Sequence, residues 1–237
     1  MVCQMKHLFE PLFQPIADDH GAVFAFEALM RLRGYHDGCP LGMIRRWESS
    51  GYIRIADFAM LRSVVGTLAK AGQRPGVAVN VSIITVETDA DAYLMELVQL
   101  AAQARRLIVE LTETAPVRDT AAVIRFAAAC KANGFHVALD DCQPGHPYCS
   151  VSFIRSVRPT LIKIDGGFLR RSLVTGEAQA LRQLIDTAHR YRARVIAEHV
   201  ADEPLRTFAF DLGADFVQGY AVGEPAPLTS GLRKKVA

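Results

Sequence analysis

Short apolar runs rich in β-branched residues alternate along most of this chain with longer segments whose apolar positions recur at three and four. The short runs predict strands over residues 77–81, 107–111, 136–139, 161–164, 195–197 and 215–217. Between them, helical stripes run through Leu94, Leu97, Val98 and Ala101, then Val123, Phe126, Ala127 and Cys130, then Leu181, Leu184, Ile185 and Ala188. Gly134 sits where a helix wants a left-handed closing residue. Asp202 with Pro204, and Gly213 beyond, bracket a last helix. The first thirty residues read differently: LFQPI and VFAFEALMR flank the turn Asp18-Asp19-His20-Gly21, the pattern of a hairpin.

Repeated strand–helix units imply a parallel sheet with helices outside it, and strands apolar on both faces fit such burial. The fold class expected is α/β, a TIM-like (β/α)8 barrel with an irregular, partly antiparallel N-terminal strand pair. No Pro/Gly/Ser-rich linker divides the chain, so residues 1–237 are expected to form a single domain.

Polar residues interrupt the strands in a regular place. Asn80, Glu110, Asp140 with Asp141, Lys163, Glu198 and Gln218 fall at strand C-terminal ends, at intervals of 30, 30, 23, 35 and 20 residues. Those intervals are close to the roughly 30 residues of a βα unit, and the C-terminal rim is where barrels of this class carry their chemistry. Any one of these carboxylates alone reads as a solvated loop residue or a helix cap. As a set, converging on one barrel mouth, they would repel one another unless cations neutralised them. Oxygen donors without His or Cys suit Mg²⁺ or Mn²⁺ rather than zinc. Two such ions serve in-line displacement at phosphorus, with Lys163 a fixed cation for water or phosphate; a structural salt bridge is the other reading of that lysine.

Charge and composition narrow the field. A formal net charge of +2 excludes a general binder of polymeric nucleic acid, and the tail Arg233-Lys234-Lys235 reads as a solvated end. Five cysteines, Cys3, Cys39, Cys130, Cys142 and Cys149, lack any CxxC pair and point to a reducing compartment rather than a disulfide scaffold. No secretory leader is visible at the N-terminus, and no run approaches the roughly 18 apolar residues of a membrane span. A cytoplasmic protein without membrane contact is the expectation.

Glu27-Ala28-Leu29, followed by Met30-Arg31, resembles the signature of the EAL domains, bacterial cyclic di-GMP phosphodiesterases. It stands in order with Gln14-Pro15, Val79-Asn80-Val81-Ser82, Glu110-Leu111-Thr112-Glu113, Asp140-Asp141, Lys163-Ile164-Asp165, Ala197-Glu198 and Gln218-Gly219-Tyr220. The resemblance implies that Glu27, Asn80, Glu110 and Asp140 hold one Mg²⁺ or Mn²⁺. Asp140 would bridge to a second ion shared with Asp141, Glu198 standing nearby. It further implies Glu198 as base or water-orienting group and Lys163 at the nucleophilic water. Gln14, Leu29, Arg31 and Gln218 would contact cyclic di-GMP, and Glu113 would steady the loop after Asp141. Hydrolysis to linear pGpG and a homodimer are the corresponding expectations.

Two stretches depart from the family pattern. Its Phe-Gly-x-Gly-Tyr-Ser-Ser loop is replaced by Cys142-Gln143-Pro144-Gly145-His146-Pro147-Tyr148-Cys149-Ser150, about two residues longer and unable to copy the usual conformation because proline fixes φ. Its Ala-Glu-Gly-Val-Glu reads Ala197-Glu198-His199-Val200-Ala201. These changes leave a second function open, a cyclic di-GMP receptor or protein-interaction module without turnover. They also raise a thiol–imidazole site for zinc or redox sensing, built from Cys142, His146, Cys149 and His199.

Overall fold

The computed structural model describes residues 8–34 and 41–228. Cys3, Cys39 and the Arg233–Lys235 tail lie outside them. Eight strands close into a barrel in chain order: β1 (Leu12–Ala17), β2 (Val23–Leu29), β3 (Gly76–Ser82), β4 (Arg106–Thr112), β5 (His136–Cys142), β6 (Leu161–Ile164), β7 (Arg194–Ala197) and β8 (Phe216–Gln218). β1 runs antiparallel to both β2 and β8, and every other pairing is parallel. The hairpin and all six later strands stand where the sequence predicts them, β8 beginning and ending one residue later.

The helices of the described residues are α1 (Leu41–Ser50), α2 (Ile53–Ala71), α3 (Ile83–Ala101), α4 (Thr120–Ala132), α5 (Val151–Val157), α6 (Gly166–Thr175), α7 (Gln179–Arg190) and α8 (Glu203–Asp211). The predicted seams of α4 and α7 are buried throughout. The α3 seam needs correcting. Tyr93, Leu97 and Leu100 face the core, Leu94 and Ala101 pack against it partly buried, and Val98 is 47% exposed. Caps behave as the sequence suggests: Asp202 accepts from the Leu205 amide at 3.0 Å, and Gly134 takes φ 77°.

Each strand sorts its residues by parity. Val77, Val79, Leu107, Val109, Val137, Leu139, Ile162, Ile164, Val195 and Val217 join the large core between barrel and helices. The opposite face contributes a second cluster, Ile16, Ala25, Ala78, Ile108, Ala138, Leu161, Ile196 and Phe216, with Phe24 stacked on Phe216 at 4.2 Å. This apolar plug closes the barrel from one end, each large side chain contributing roughly 1.5–3 kcal/mol by its burial. Two residues beyond each plug residue, toward the other end, stands a polar one: Gln14, Glu27, Asn80, Glu110, Asp140, Lys163, Glu198 and Gln218. The period of two that fills the plug therefore also aims these side chains into the barrel mouth.

Candidate active site

The polar residues cluster around an ammonium group. Lys163 Nζ lies 2.8 Å from Asp140 Oδ1, 2.9 Å from Glu110 Oε2, 2.9 Å from Glu198 Oε1 and 3.4 Å from Glu27 Oε2. Its side chain is 1% exposed. Burial alone would pull its pKa down, but Asp140, Glu110, Glu198 and Glu27 outweigh that and hold it well above the usual lysine value. The salt-bridge reading of this lysine is thus present in the structure, with four carboxylates rather than one.

Glu27 is the best-supported carboxylate. The Asn80 amide donates to Oε1 at 2.7 Å and the Gln218 amide to Oε2 at 2.6 Å. Burial works to raise its pKa, yet Lys163, Gln218 and Asn80 together hold it below the ordinary glutamate value. Gln218 also reaches Gln14 Oε1 at 3.3 Å, and Gln14 donates to the Gly223 carbonyl at 3.1 Å, so the two glutamines brace one wall. Glu110 and Glu198 go the other way. Burial pushes both well above the carboxylate range, and the neighbouring acids add to it against the pull of Lys163. Four carboxylates facing one ammonium leave surplus negative charge, which protons or cations must relieve.

Asp140 and Asp141 stand at the strand end as expected, β5 continuing past the predicted 136–139 through both to Cys142. Between Leu139 and Cys142 its pairing with β6 slips, and Asp141 takes φ 46°. This bulge gives consecutive aspartates a common site, which a regular strand would point to opposite faces. Asp141 and Glu113 are both raised by burial and by the neighbouring aspartates, Glu113 to about 7.

Whether these residues suit divalent cations can be tested on their unused atoms. Asn80 Oδ1, Glu110 Oε1 and Glu198 Oε2 are buried without hydrogen-bond partners, and all belong to the oxygen set predicted from the strand ends. Buried acceptors without donors are costly, and a cation is the partner that oxygen donors of this kind fit. Among the described residues no three acidic, His or Cys side chains yet converge on one point as ready ligands, since the carboxylates turn their nearer oxygens to Lys163. Cys142, His146, Cys149 and His199 likewise form no ready ligand group among the described residues.

Above this floor opens a cleft of about 950 Å³ whose walls include Gln14, Leu29, Arg31, Glu113, His199, Ala201 and Tyr220. Arg31 is half-buried and donates to the Met30 carbonyl at 2.8 Å. Every predicted site residue lines the cleft except Glu110, which lies beneath it in contact with Lys163.

Sequence reasoning missed a buried layer behind the wall. Glu48 of α1 accepts from Ser82 Oγ at 2.8 Å and Thr114 Oγ1 at 2.7 Å, and Asp57 of α2 accepts from the Ser82 amide at 3.1 Å and from Thr85. These contacts tie two helices to the ends of β3 and β4, beside Asn80 and Glu110. Burial lifts Asp57 to about 7. The signal was there to find: a carboxylate amid Ala56, Ala59, Met60 and Leu61 on a helical period.

Residues 4–225 match the family model of the EAL domain. The chain belongs to the EAL family. It is 26% identical over 229 residues to cyclic di-GMP phosphodiesterase PdeF of Escherichia coli K12, covering 93% of this chain and 30% of the relative. It is 31% identical over 224 residues to an uncharacterized signaling protein of Caulobacter vibrioides, covering 91% of this chain and 27% of that one. The chain thus spans less than a third of the length of these relatives. Among solved structures, the PaMucR phosphodiesterase in complex with c-di-GMP superposes with a TM-score of 0.78 at 24% identity, covering 93% of this chain and 97% of that one. The Xanthomonas citri FimX EAL domain, also a c-di-GMP complex, has a TM-score of 0.78 at 21% identity, covering 96% and 92%. These two establish the EAL barrel as the fold.

Proposed function

We propose that this EAL domain hydrolyses cyclic di-GMP to linear pGpG with two Mg²⁺ or Mn²⁺ ions. The observation that carries the reading is the set of buried oxygens without partners, Asn80 Oδ1, Glu110 Oε1 and Glu198 Oε2, on the floor of a cleft large enough for a dinucleotide. Glu27, Asn80, Glu110, Asp140 and Asp141 would hold the ions. When bound, such ions lower the pKa of water and offset charge on phosphoryl oxygens. Lys163 holds the attacking water and keeps charge balanced among the carboxylates. Glu198, raised by its burial, takes the proton from that water. Gln14, Leu29, Arg31 and Gln218 bind the dinucleotide, Arg31 offering a charge-assisted hydrogen bond to a phosphate. Glu113 steadies the loop beyond Asp141. The working form on this reading is a cytoplasmic homodimer whose barrel domain spans the chain.

A second reading, binding without turnover, is favoured by Ala201 on the cleft wall and by the altered loop after β5. Chromatography of cyclic di-GMP incubated with the protein separates the two. Hydrolysis gives pGpG with Mg²⁺ or Mn²⁺, none with chelator, and none from Glu27→Ala; uncut ligand at every metal concentration supports the receptor reading instead.

A further inference from the structure

The period of two that aims polar residues into the mouth also works toward the other end of the barrel. Two residues before the plug residues Ile108, Ala138 and Ile196 stand Arg106, His136 and Arg194, the first residues of β4, β5 and β7. Each of these strands thus carries a basic residue below the plug and an acidic one above it: Arg106 and Glu110, His136 and Asp140, Arg194 and Glu198. The guanidinium carbons of Arg106 and Arg194 lie 4.1 Å and 4.6 Å from the centre of the Phe24 ring, and that of Arg194 is 4.8 Å from the centre of Phe216. Arg106 Nη1 donates to the Phe24 carbonyl at 2.7 Å. Beside this group Phe24, Gln73, Arg74, Gly76 and Arg105 are among the walls of a cavity of about 250 Å³.

The positive charge gathered there has no counter-charge in the chain. Among the described residues, Arg74, Arg105, Arg106 and Arg194 form no ion pair. Asp18 and Asp215, which flank β1 and β8 at this end, are engaged elsewhere. Asp18 Oδ1 accepts from the His20 and Ala22 amides at 3.0 and 2.8 Å. Asp215 Oδ2 accepts from the Val195 amide at 2.8 Å and stands 3.0 Å from His189 Nε2. Burial, Arg105 and Arg194 pull Arg106 below the usual arginine value, and burial, Arg194 and Arg106 pull His136 below the usual histidine value.

We propose that this basic end of the barrel is a second binding site, for a phosphate dianion, free or as the terminal group of a small phosphate ester. Guanidinium groups meet phosphate oxygens through paired N–H donors, and several of them held together without a counter-ion favour a dianion over a single charge. Arg106 and Arg194 are half-buried and Arg74 and Arg105 exposed, so the cluster reaches solvent at its rim while the apolar plug separates it from the mouth. The acids of the metal-free mouth repel anions, which leaves the basic end as the place that draws them. A dianion bound there offsets the repulsion among the arginines and so stabilises the folded chain. The site shares no residue with the cleft and stands independently of the proposed function.

Calorimetry on the whole protein with sodium phosphate at pH 8, in the presence of chelator, reads this site while the mouth holds no cation. Saturable binding is expected, with none from sodium chloride at equal ionic strength, and the urea midpoint should rise with phosphate. Arg194→Gln and Arg105→Gln should each weaken phosphate binding roughly ten-fold, the size of one lost charge-assisted hydrogen bond. Both should also shrink the rise in urea midpoint that phosphate brings. Arg105 is exposed on the rim, so its variant carries the test where Arg194→Gln does not fold. Glycerol 3-phosphate in place of phosphate separates the sources: binding of both assigns the terminal group of an ester, and binding of phosphate alone assigns the free ion. Arginines that only cover the Phe24 and Phe216 rings give a different result, a lower urea midpoint for Arg194→Gln by the same amount with and without phosphate. That result, the absence of saturable heat with either ligand, or unchanged affinity in Arg105→Gln and Arg194→Gln would each overturn the proposal.

Discussion

Replacing Lys163 with methionine should unsettle the metal-free protein more than any other single change at the site. Methionine keeps most of the stem's length and removes the charge. The ammonium lies between 2.8 and 3.4 Å from four carboxylate oxygens, and both Glu110 and Lys163 are essentially out of solvent. Breaking a buried charge pair by deleting one partner costs about 3–5 kcal/mol. Here four acids lose the same counter-charge, but they can take up protons, so the loss stays within that range rather than multiplying. Set against a typical net stability of about 5–15 kcal/mol, it is large. Its pH dependence is fixed in sign. Without the ammonium the acids have folded-state pKa values raised above the unfolded glutamate value, so stability is kept at low pH and lost as pH rises through the raised values. Urea unfolding in the presence of chelator should place Lys163→Met about 3–5 kcal/mol below the natural protein at pH 8, the gap narrowing toward pH 5. Equal midpoints at pH 8, or a gap that widens on acidification, would refute the argument.

Other expectations follow from particular contacts. Asp57, lifted from 3.8 to about 7 by burial, makes the natural protein lose stability as pH rises from about 4 to about 7. The loss is at most about 4 kcal/mol, at roughly 1.4 kcal/mol per pH unit. Asp57→Asn keeps an acceptor for the Ser82 amide without the charge, so denaturant titrations at pH 5 and pH 8 should differ less than in the natural protein. Gly219 takes φ 153°, and a Cβ there would run into the Val200 backbone. Gly219→Ala should therefore lower the melting temperature and weaken cyclic di-GMP binding by displacing Gln218, as calorimetry would report. Phe126, 2% exposed on α4, should cost about 3–5 kcal/mol as Phe126→Ala, measured by urea unfolding.

The barrel was legible because two periods coexist in it. Runs such as VAVNV carry the apolar alternation that fills both faces, and the polar residue breaking each run marks the strand end. Helices were legible where the buried stripe is purely apolar, as in α4 and α7. They were not legible over 41–71, where the buried face of α1 and α2 includes Glu48 and Asp57 and the pattern is blurred by charge. On α3 the apolar positions Tyr93, Leu94, Leu97, Val98, Leu100 and Ala101 crowd most of the helix, so the period alone does not single out the buried stripe. The site's membership was readable from spacing, because parity alone points those side chains inward. Its internal arrangement was not. That Lys163 gathers four acids and that a bulge carries both aspartates depend on register and loop closure.

The central claim is that this barrel turns cyclic di-GMP over rather than only holding it. The most direct test measures both on one preparation of reduced protein loaded with Mn²⁺. A binding isotherm with the Glu27→Ala variant gives the occupancy of the cleft, and chromatography of the natural protein follows product under the same conditions. The account predicts many equivalents of pGpG formed per protein molecule. Saturable binding of cyclic di-GMP with no pGpG above the Glu27→Ala background would contradict it.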